Sequence, residues 1–187
     1  MRVFTGTARG RRLKAVPGLA TRPTSDRVKE AIFSMIGPFF DGGAVLDLFA
    51  GTGALGIEAL SRGAERAVFI DRERASVETV RANLAACGFA DRAEVYRNDA
   101  LRALQLLRRR GAAFDLVFLD PPYRFAALDG LMLELAALEL LRPGAVVVAE
   151  HAAGRGLPER VGPLVRLRRG EYGDTAVSVY EFGEKGV

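Results

Sequence analysis

The sequence predicts an α/β fold: a doubly wound, mostly parallel sheet that ends in a C-terminal antiparallel hairpin and is preceded by a basic N-terminal hairpin. Three observations predict it. From Ala44 onward, short apolar runs alternate with helical stretches, the pattern of parallel strands covered on both faces. The last two strand-like runs are separated by only six residues, too few for a crossover helix. Eight Lys or Arg stand against two acidic residues within positions 1–30, although the whole chain carries only +4, so the remainder is net negative.

Taken in order, residues 2–16 hold two strand-like runs around Ala8-Arg9-Gly10-Arg11, where Gly10 can supply the turn of a hairpin with arginines at its tip. Pro17-Gly18 breaks this unit. Pro23 disfavours helix for Arg22, and Thr24 or Ser25 can cap a helix that carries Val28, Ile32 and Met35 or Ile36 on one face until Gly37-Pro38 ends it. Strands are then expected at 44–49, 67–71, 93–98, 114–120 and 145–150. Helices are expected between them at 53–62, 74–87, 101–110 and 128–141. The closing pair spans 164–169 and 176–182, joined by Gly170-Glu171-Tyr172-Gly173-Asp174.

A chain of 187 residues suits one domain, with 1–37 as a basic hairpin and helix and 44–187 as a ligand-binding core. No apolar run is long enough to span a bilayer and no secretory signal opens the chain, so a cytoplasmic protein is expected. Cys87 is the one cysteine and His151 the one histidine, which excludes an intrachain disulfide and a structural zinc site; no metal is expected. Cys87, in a helical stretch before Gly88, reads as a small buried packing residue. Concentrated Lys and Arg at one end suits nucleic acid, and suits a solvated arm equally well.

The run Asp47-Leu48-Phe49-Ala50-Gly51-Thr52-Gly53-Ala54-Leu55-Gly56 stands at the first strand-to-helix junction. Open α/β sheets bind ligands there, beyond the carboxyl ends of strands. Gly51 and Gly53 allow a tight turn and close approach to a ligand, and the helix N-terminus offers N–H groups to a carboxylate. The run also satisfies G-x-G-x-x-G with Asp71 20 residues beyond Gly51, so a dinucleotide dehydrogenase has to be weighed. Against it, Asp47 puts negative charge where a pyrophosphate would sit, and no group suited to hydride transfer follows. A cationic amine suits Asp47, and the methionine end of S-adenosyl-L-methionine carries one. The cofactor-binding candidates are therefore Asp47, Phe49, Gly51 and Gly53, with Asp71 for the ribose hydroxyls and Asp99-Ala100 for the adenine amino group. Helix capping is the structural alternative for both Asp71 and Asp99.

The fourth parallel strand runs into Asp120-Pro121-Pro122-Tyr123. Two prolines remove two backbone donors and stiffen the loop, leaving the Asp120 carboxylate and the Pro121 carbonyl as acceptors. An exocyclic base amine is a poor nucleophile because its lone pair is delocalised into the ring. Two acceptors holding its protons favour a pyramidal nitrogen aimed at a methyl sulfonium, while Tyr123 stacks on the base. A rigid strand-ending turn is the alternative for these four residues alone. Set after the glycine loop and two acidic strand ends, they point to methyl transfer onto an exocyclic nitrogen.

With these residues in view, the chain resembles the bacterial 16S ribosomal RNA (guanine-N2)-methyltransferases of the type D family. The resemblance is carried by Arg9-Gly10-Arg11, by Arg22-Pro23-Thr24-x-Asp26-Arg27-Val28-x-Glu30, by the stretch from Asp47 to Gly63, by Asp120-Pro121-Pro122-Tyr123 and by Tyr172-Gly173-Asp174-Thr175. It implies a Rossmann-like class I methyltransferase fold and a product N2-methylguanine in 16S rRNA. It further implies a small-subunit ribosomal particle as substrate. It also implies that Arg9, Arg11 and Arg12 contact phosphates, while Arg22 and Arg27 lie nearer the core and border the base pocket. The competing readings are a DNA or RNA adenine-N6 methyltransferase, a protein glutamine methyltransferase, for which Asn in place of Asp120 is typical, and a noncatalytic RNA-binding module with the same fold.

Overall fold

A computed structural model describes residues 1–18, 25–122, 125 and 127–183. Strands β1 (Ala44–Asp47), β2 (Arg66–Asp71), β3 (Ala93–Arg97), β4 (Phe114–Leu119) and β5 (Leu141–Ala152) are parallel. Strands β6 (Arg160–Val161), β7 (Leu164–Tyr172) and β8 (Thr175–Phe182) add antiparallel, giving the order β3-β2-β1-β4-β5-β8-β7-β6. The helices are α1 (Asp26–Ile36), α2 (Ala54–Ser61), α3 (Arg74–Cys87), α4 (Ala100–Arg109) and α5 (Leu128–Ala137). Ser25 caps α1, its side chain accepting from the Val28 N–H.

Alternate strand residues serve two cores. Leu46, Ile70, Val117 and Val147 pack under α4 and α5, whereas Val45, Phe69, Phe118 and Val148 pack under α1, α2 and α3. Each buried Leu, Ile or Phe contributes about 1.5–3 kcal/mol. The continuous apolar runs of the sequence thus mark strands buried on both faces.

Some boundaries differ from expectation. Helix α5 stops at Ala137, because Glu139 takes φ 56° and the Leu140 N–H turns back to the Leu135 carbonyl. The apolar residues at 138, 140 and 141 continue the pattern but not the helix. Strand β5 then begins at Leu141, loops out, and regains register at Val146 opposite Leu116. The closing hairpin is tighter than the connection expected: Tyr172 pairs with Thr175, leaving Gly173 (φ 63°) and Asp174 as the turn. The two-residue β6 was not expected, and Cys87 is half-buried rather than buried.

The N-terminal arm pairs its two runs antiparallel, as expected of a hairpin. They meet at the Arg2–Arg12 bridge, with the Val3 N–H donating to the Arg11 carbonyl, the Gly10 N–H to the Val3 carbonyl and the Leu13 N–H to the Met1 carbonyl. The intervening turn also bonds to the C-terminal end of α2. The Thr7 N–H donates to the Ser61 carbonyl at 2.9 Å, the Ala8 N–H to Ser61 Oγ, and the Ser61 hydroxyl to the Thr5 carbonyl. A Cβ on Gly6 (φ 94°) would fall 1.8 Å from the Ser61 carbonyl oxygen, so this contact requires glycine.

Beneath the arm lies a buried ionic group. Glu58 of α2 and Lys29 of α1 are fully buried, with Lys29 Nζ 2.9 Å from Glu58 Oε1 and 2.8 Å from the Arg2 carbonyl. Arg62 Nε meets Glu58 Oε2 at 2.8 Å, and the amides of Phe4 and Thr5 donate to the same carboxylate. Burial alone would raise the Glu58 carboxyl. The Lys29 ammonium and the hydrogen bonds of Lys29, Phe4 and Arg62 outweigh it and hold the group below its ordinary value of 4.5. Burial lowers Lys29, against the pull of Glu58. Among the described residues, no buried side-chain nitrogen or oxygen lacks a partner.

Removing Glu58 strands two buried cations. Glu58→Ala is therefore expected to cost about 3–5 kcal/mol in urea unfolding, and an unchanged midpoint would refute this role. Because the folded carboxyl lies below the unfolded one, its contribution is complete above pH 4.5 and is lost as pH falls through the folded value. The parent should lose this increment on acidification, and Glu58→Gln should not.

Candidate functional site

Strands β2, β1 and β4 are neighbours in the sheet, and their carboxyl ends bring Asp71, Asp47 and Asp120 to one rim. This is the rim where order reverses around β1, the usual ligand crevice of an open α/β sheet. Asp47 is 1% exposed, and its Oδ2 accepts from the Gly56 N–H at 3.0 Å. It thereby does for α2 what the side-chain-free N-cap residue Gly53 cannot. Burial pushes the Asp47 carboxyl up to about 8; the charges of Asp120 and Asp71 push the same way, against the Gly56 hydrogen bond. With three carboxyl groups gathered at its edge, the rim suits a cationic ligand.

The glycine loop is built for close approach. Gly51 has φ 58° and Gly53 φ 83°, conformations that L side chains rarely adopt, and no atom lies within 4 Å of where a Gly51 Cβ would stand. A Cβ on Gly56 would meet the Phe69 ring at 2.4 Å, so this glycine is what lets α2 lie close on β2. Asp71 ties the loop down: Oδ2 accepts from the Gly51 N–H and Oδ1 from the Glu73 N–H, both at 2.9 Å. The N-cap of α3 is Glu73, so Asp71 shapes the loop rather than capping that helix. Each of its oxygens retains a second lone pair for a hydroxyl donor. Asp99 does cap α4, accepting from the Arg102 N–H through Oδ2, and the adjoining Ala100 is buried.

The reaction loop begins at Asp120. Pro121 is half-buried and Pro122 exposed, and the Pro122 carbonyl accepts from the Phe125 N–H at 2.9 Å. Tyr123 lies outside the described residues. The ring of Phe49 meets that of Phe125 edge to face at 5.4 Å, joining the cofactor loop to the reaction loop. Arg155, beyond β5, donates to the Phe125 carbonyl at 2.7 Å. Sequence reasoning missed Phe125 and Arg155, since a side chain bonding to a carbonyl 30 residues away leaves no local pattern.

Arg9, Arg11 and Arg12 are exposed on the arm. Arg9 and Arg12 line a cleft of about 570 Å³ together with Arg2, Phe4 and Asp26. Arg22 lies outside the described residues. Arg27, in the first turn of α1, is exposed, with its guanidinium 5.7 Å from the Tyr172 ring of the β7–β8 hairpin. Asn83 of α3 joins the arm to the cofactor loop. Its side chain bonds both backbone groups of Lys14 and the carbonyl of Thr52, a role that no sequence pattern suggested. Among the described residues, no group of three His, Cys, Asp or Glu side chains is placed to hold a metal, and no helix is long and apolar enough to cross a membrane.

The family model described as conserved hypothetical protein 95 matches residues 1–181. A Bacillus subtilis (strain 168) relative, "Putative rRNA methyltransferase YlbH", is 50% identical over 181 residues, covering 97% of this chain and 98% of its own. Ribosomal RNA small subunit methyltransferase D of Escherichia coli (strain K12) is 35% identical over 158 residues, covering 84% and 78%. The solved structure of "Putative methyltransferase yhhF" from Escherichia coli superposes with a TM-score of 0.83 at 34% identity over 99% of each chain. The shared architecture is the Rossmann-like class I methyltransferase fold.

The raised Asp47 carboxyl has a measurable consequence. The unfolded chain ionises this group above pH 3.8, while the folded protein retains the proton until about 8, so Asp47 costs stability progressively across that window. Asp47→Asn removes the cost, and the urea midpoint of the variant should gain on the parent as pH rises from 4 to 8. A difference independent of pH would show that Asp47 is ionised in the folded protein throughout.

Proposed function

Since the chain belongs to the conserved hypothetical protein 95 family, which takes in its methyltransferase D relatives, we propose that it methylates the exocyclic N2 of a guanine in 16S rRNA of the small ribosomal subunit, using S-adenosyl-L-methionine. The observation that carries this reading is the rim itself, where the glycine loop, Asp47 and Asp71 meet the loop of Asp120 and two prolines.

The residues present fit the cofactor. Gly51 leaves open space at positive φ, Asp71 offers acceptors to hydroxyls, and the buried Asp47 with its acidic neighbours suits a cationic ligand. Phe49, Gly53 and Asp99-Ala100 complete the proposed cofactor side. Bound there, S-adenosyl-L-methionine supplies an electrophilic methyl group on a sulfonium. The chain's own part is to present the nucleophile. Asp120 and the Pro121 carbonyl accept from the N2 protons of guanine, which draws the nitrogen out of conjugation and aims its lone pair. Proline rigidity, the Phe49–Phe125 contact and the Arg155 hydrogen bond keep those acceptors in place. Tyr123 is proposed to stack on the base.

The chain acts as one methyltransferase unit on this reading, with 1–37 contacting RNA and 44–187 binding cofactor and carrying out transfer. Arg9, Arg11 and Arg12 hold phosphates of the target, and Arg22 and Arg27 border the base. The substrate is a small-subunit particle, which places the protein in the cytoplasm.

Three measurements test the proposal. Labelled S-adenosyl-L-methionine incubated with unmodified small-subunit particles, naked rRNA and DNA should leave label in N2-methylguanine; label in N6-methyladenine or in protein would overturn the base assignment. Asp120→Ala should lower turnover by about 10²–10³-fold with cofactor affinity nearly unchanged. Neutralising Arg9, Arg11 and Arg12 together should reduce the salt slope of RNA binding by about 2–3 and spare cofactor affinity. A slope equal to the parent's would remove these arginines from the interface.

A further inference from the structure

We propose that Asn83 is a positioning residue that couples the arm to the cofactor loop, so that RNA and cofactor each bind more tightly when the other is present. The inference rests on the RNA-contacting role of the arm proposed above and adds a thermodynamic link between its two ligands.

The geometry is specific. Asn83 lies on α3 with 1% exposure. Its Oδ1 accepts from the Lys14 N–H at 2.7 Å, and its Nδ2 donates to the Lys14 carbonyl at 3.1 Å and to the Thr52 carbonyl at 2.9 Å. One amide therefore grips both backbone groups of an arm residue and one backbone group of the cofactor loop. Its orientation follows from its partners, because the reversed amide would set its NH₂ against the Lys14 N–H. An Asp of the same length keeps the acceptor but cannot give both donations, and a Gln is longer by a methylene.

Both ends of this bridge lie where position matters. Thr52 stands between Gly51 and Gly53, both at positive φ, so the peptide whose carbonyl Asn83 holds is part of the turn that faces the cofactor. The rest of the loop is held from the other side, by Asp71 on the Gly51 N–H and by the Ala50 carbonyl on the Gly53 N–H. Lys14 is two residues beyond Arg12, and the start of the arm is anchored to Glu58 and Ser61. Load applied by RNA at Arg11 and Arg12 therefore reaches Lys14 with little slack. With the arm seated, the amide holds Thr52. With the Lys14 segment lifted, Asn83 loses two of its three bonds, and the loop loses a fixed support. A ligand that favours the seated arm thus favours the cofactor-ready loop, and the effect is reciprocal.

The test is a linkage measurement on the full chain, using S-adenosyl-L-homocysteine as the cofactor probe and unmodified small-subunit particles as the RNA probe. Titrated calorimetrically, the parent should bind S-adenosyl-L-homocysteine about fivefold or more tightly with particles at saturation than without them. Asn83→Ala should still bind each probe alone while the ratio falls to about one. Lys14→Pro, which removes the N–H that Asn83 accepts and lies outside α3, should lose the linkage likewise and serves if Asn83→Ala does not fold. Equal linkage in parent and variants, or particles that bind the parent without changing its S-adenosyl-L-homocysteine affinity, would overturn the coupling and leave the RNA reading standing. Particles that do not bind the parent would overturn the RNA reading and the coupling with it.

Discussion

A single buried carboxylate, Glu58, holds together the parts on which the arm depends. It receives an ammonium from α1, a guanidinium from its own helix and two backbone amides from the arm. Taking these ions out of water costs several kcal/mol each, and the arrangement is tolerable only with every partner in place. Its effect is therefore to specify geometry: arm, α1 and α2 meet in one way. Helix α2 then acts as a short rigid spacer, ~12 Å from end to end. Its first turn faces the glycine loop and donates to Asp47, while its last residues hold the arm through Glu58 and Ser61. The start of the arm, from Phe4 to Ala8, is in consequence held in a fixed relation to α2.

The same economy appears at the rim. Asp47 caps a helix, Asp71 pins a glycine turn and Asp99 caps α4, and each is also a residue proposed to meet the cofactor. Structural and ligand-binding readings of these aspartates are compatible, because a carboxylate has more lone pairs than its backbone partners use. Gathering Asp47, Asp71 and Asp120 at adjacent strand ends raises the cost of ionising the most buried of them. A cation entering the rim relieves that cost. The electrostatics of the site and the charge of the proposed ligand thus agree.

The parallel core was legible in the sequence because helices and strands bury their faces at different periods, and each element from 44 to 119 lies within a residue or two of its expected place. The carboxylates were legible because they end strands, and strand ends converge in an open sheet. Expectation failed where the partner was remote. The arm pairs as a hairpin, but no local pattern announces that its Phe4 and Ala8 amides go to Glu58 and Ser61, more than 50 residues away. Helix α5 looked longer because apolar residues continue past Glu139, whose positive φ no propensity announces.

By itself the sequence determined the α/β alternation, the glycine turn, the acidic strand ends and the rigid loop after β4, since each is set by residues near one another in the chain. Only the tertiary structure decided that Glu58 joins the arm to two helices, that Arg155 and Phe125 brace the reaction loop, and that Asn83 ties Lys14 to Thr52. The physical reason is that a side chain bonding to a distant backbone group obeys no period and needs no particular neighbour. Its partner exists only once the sheet has brought the two segments together.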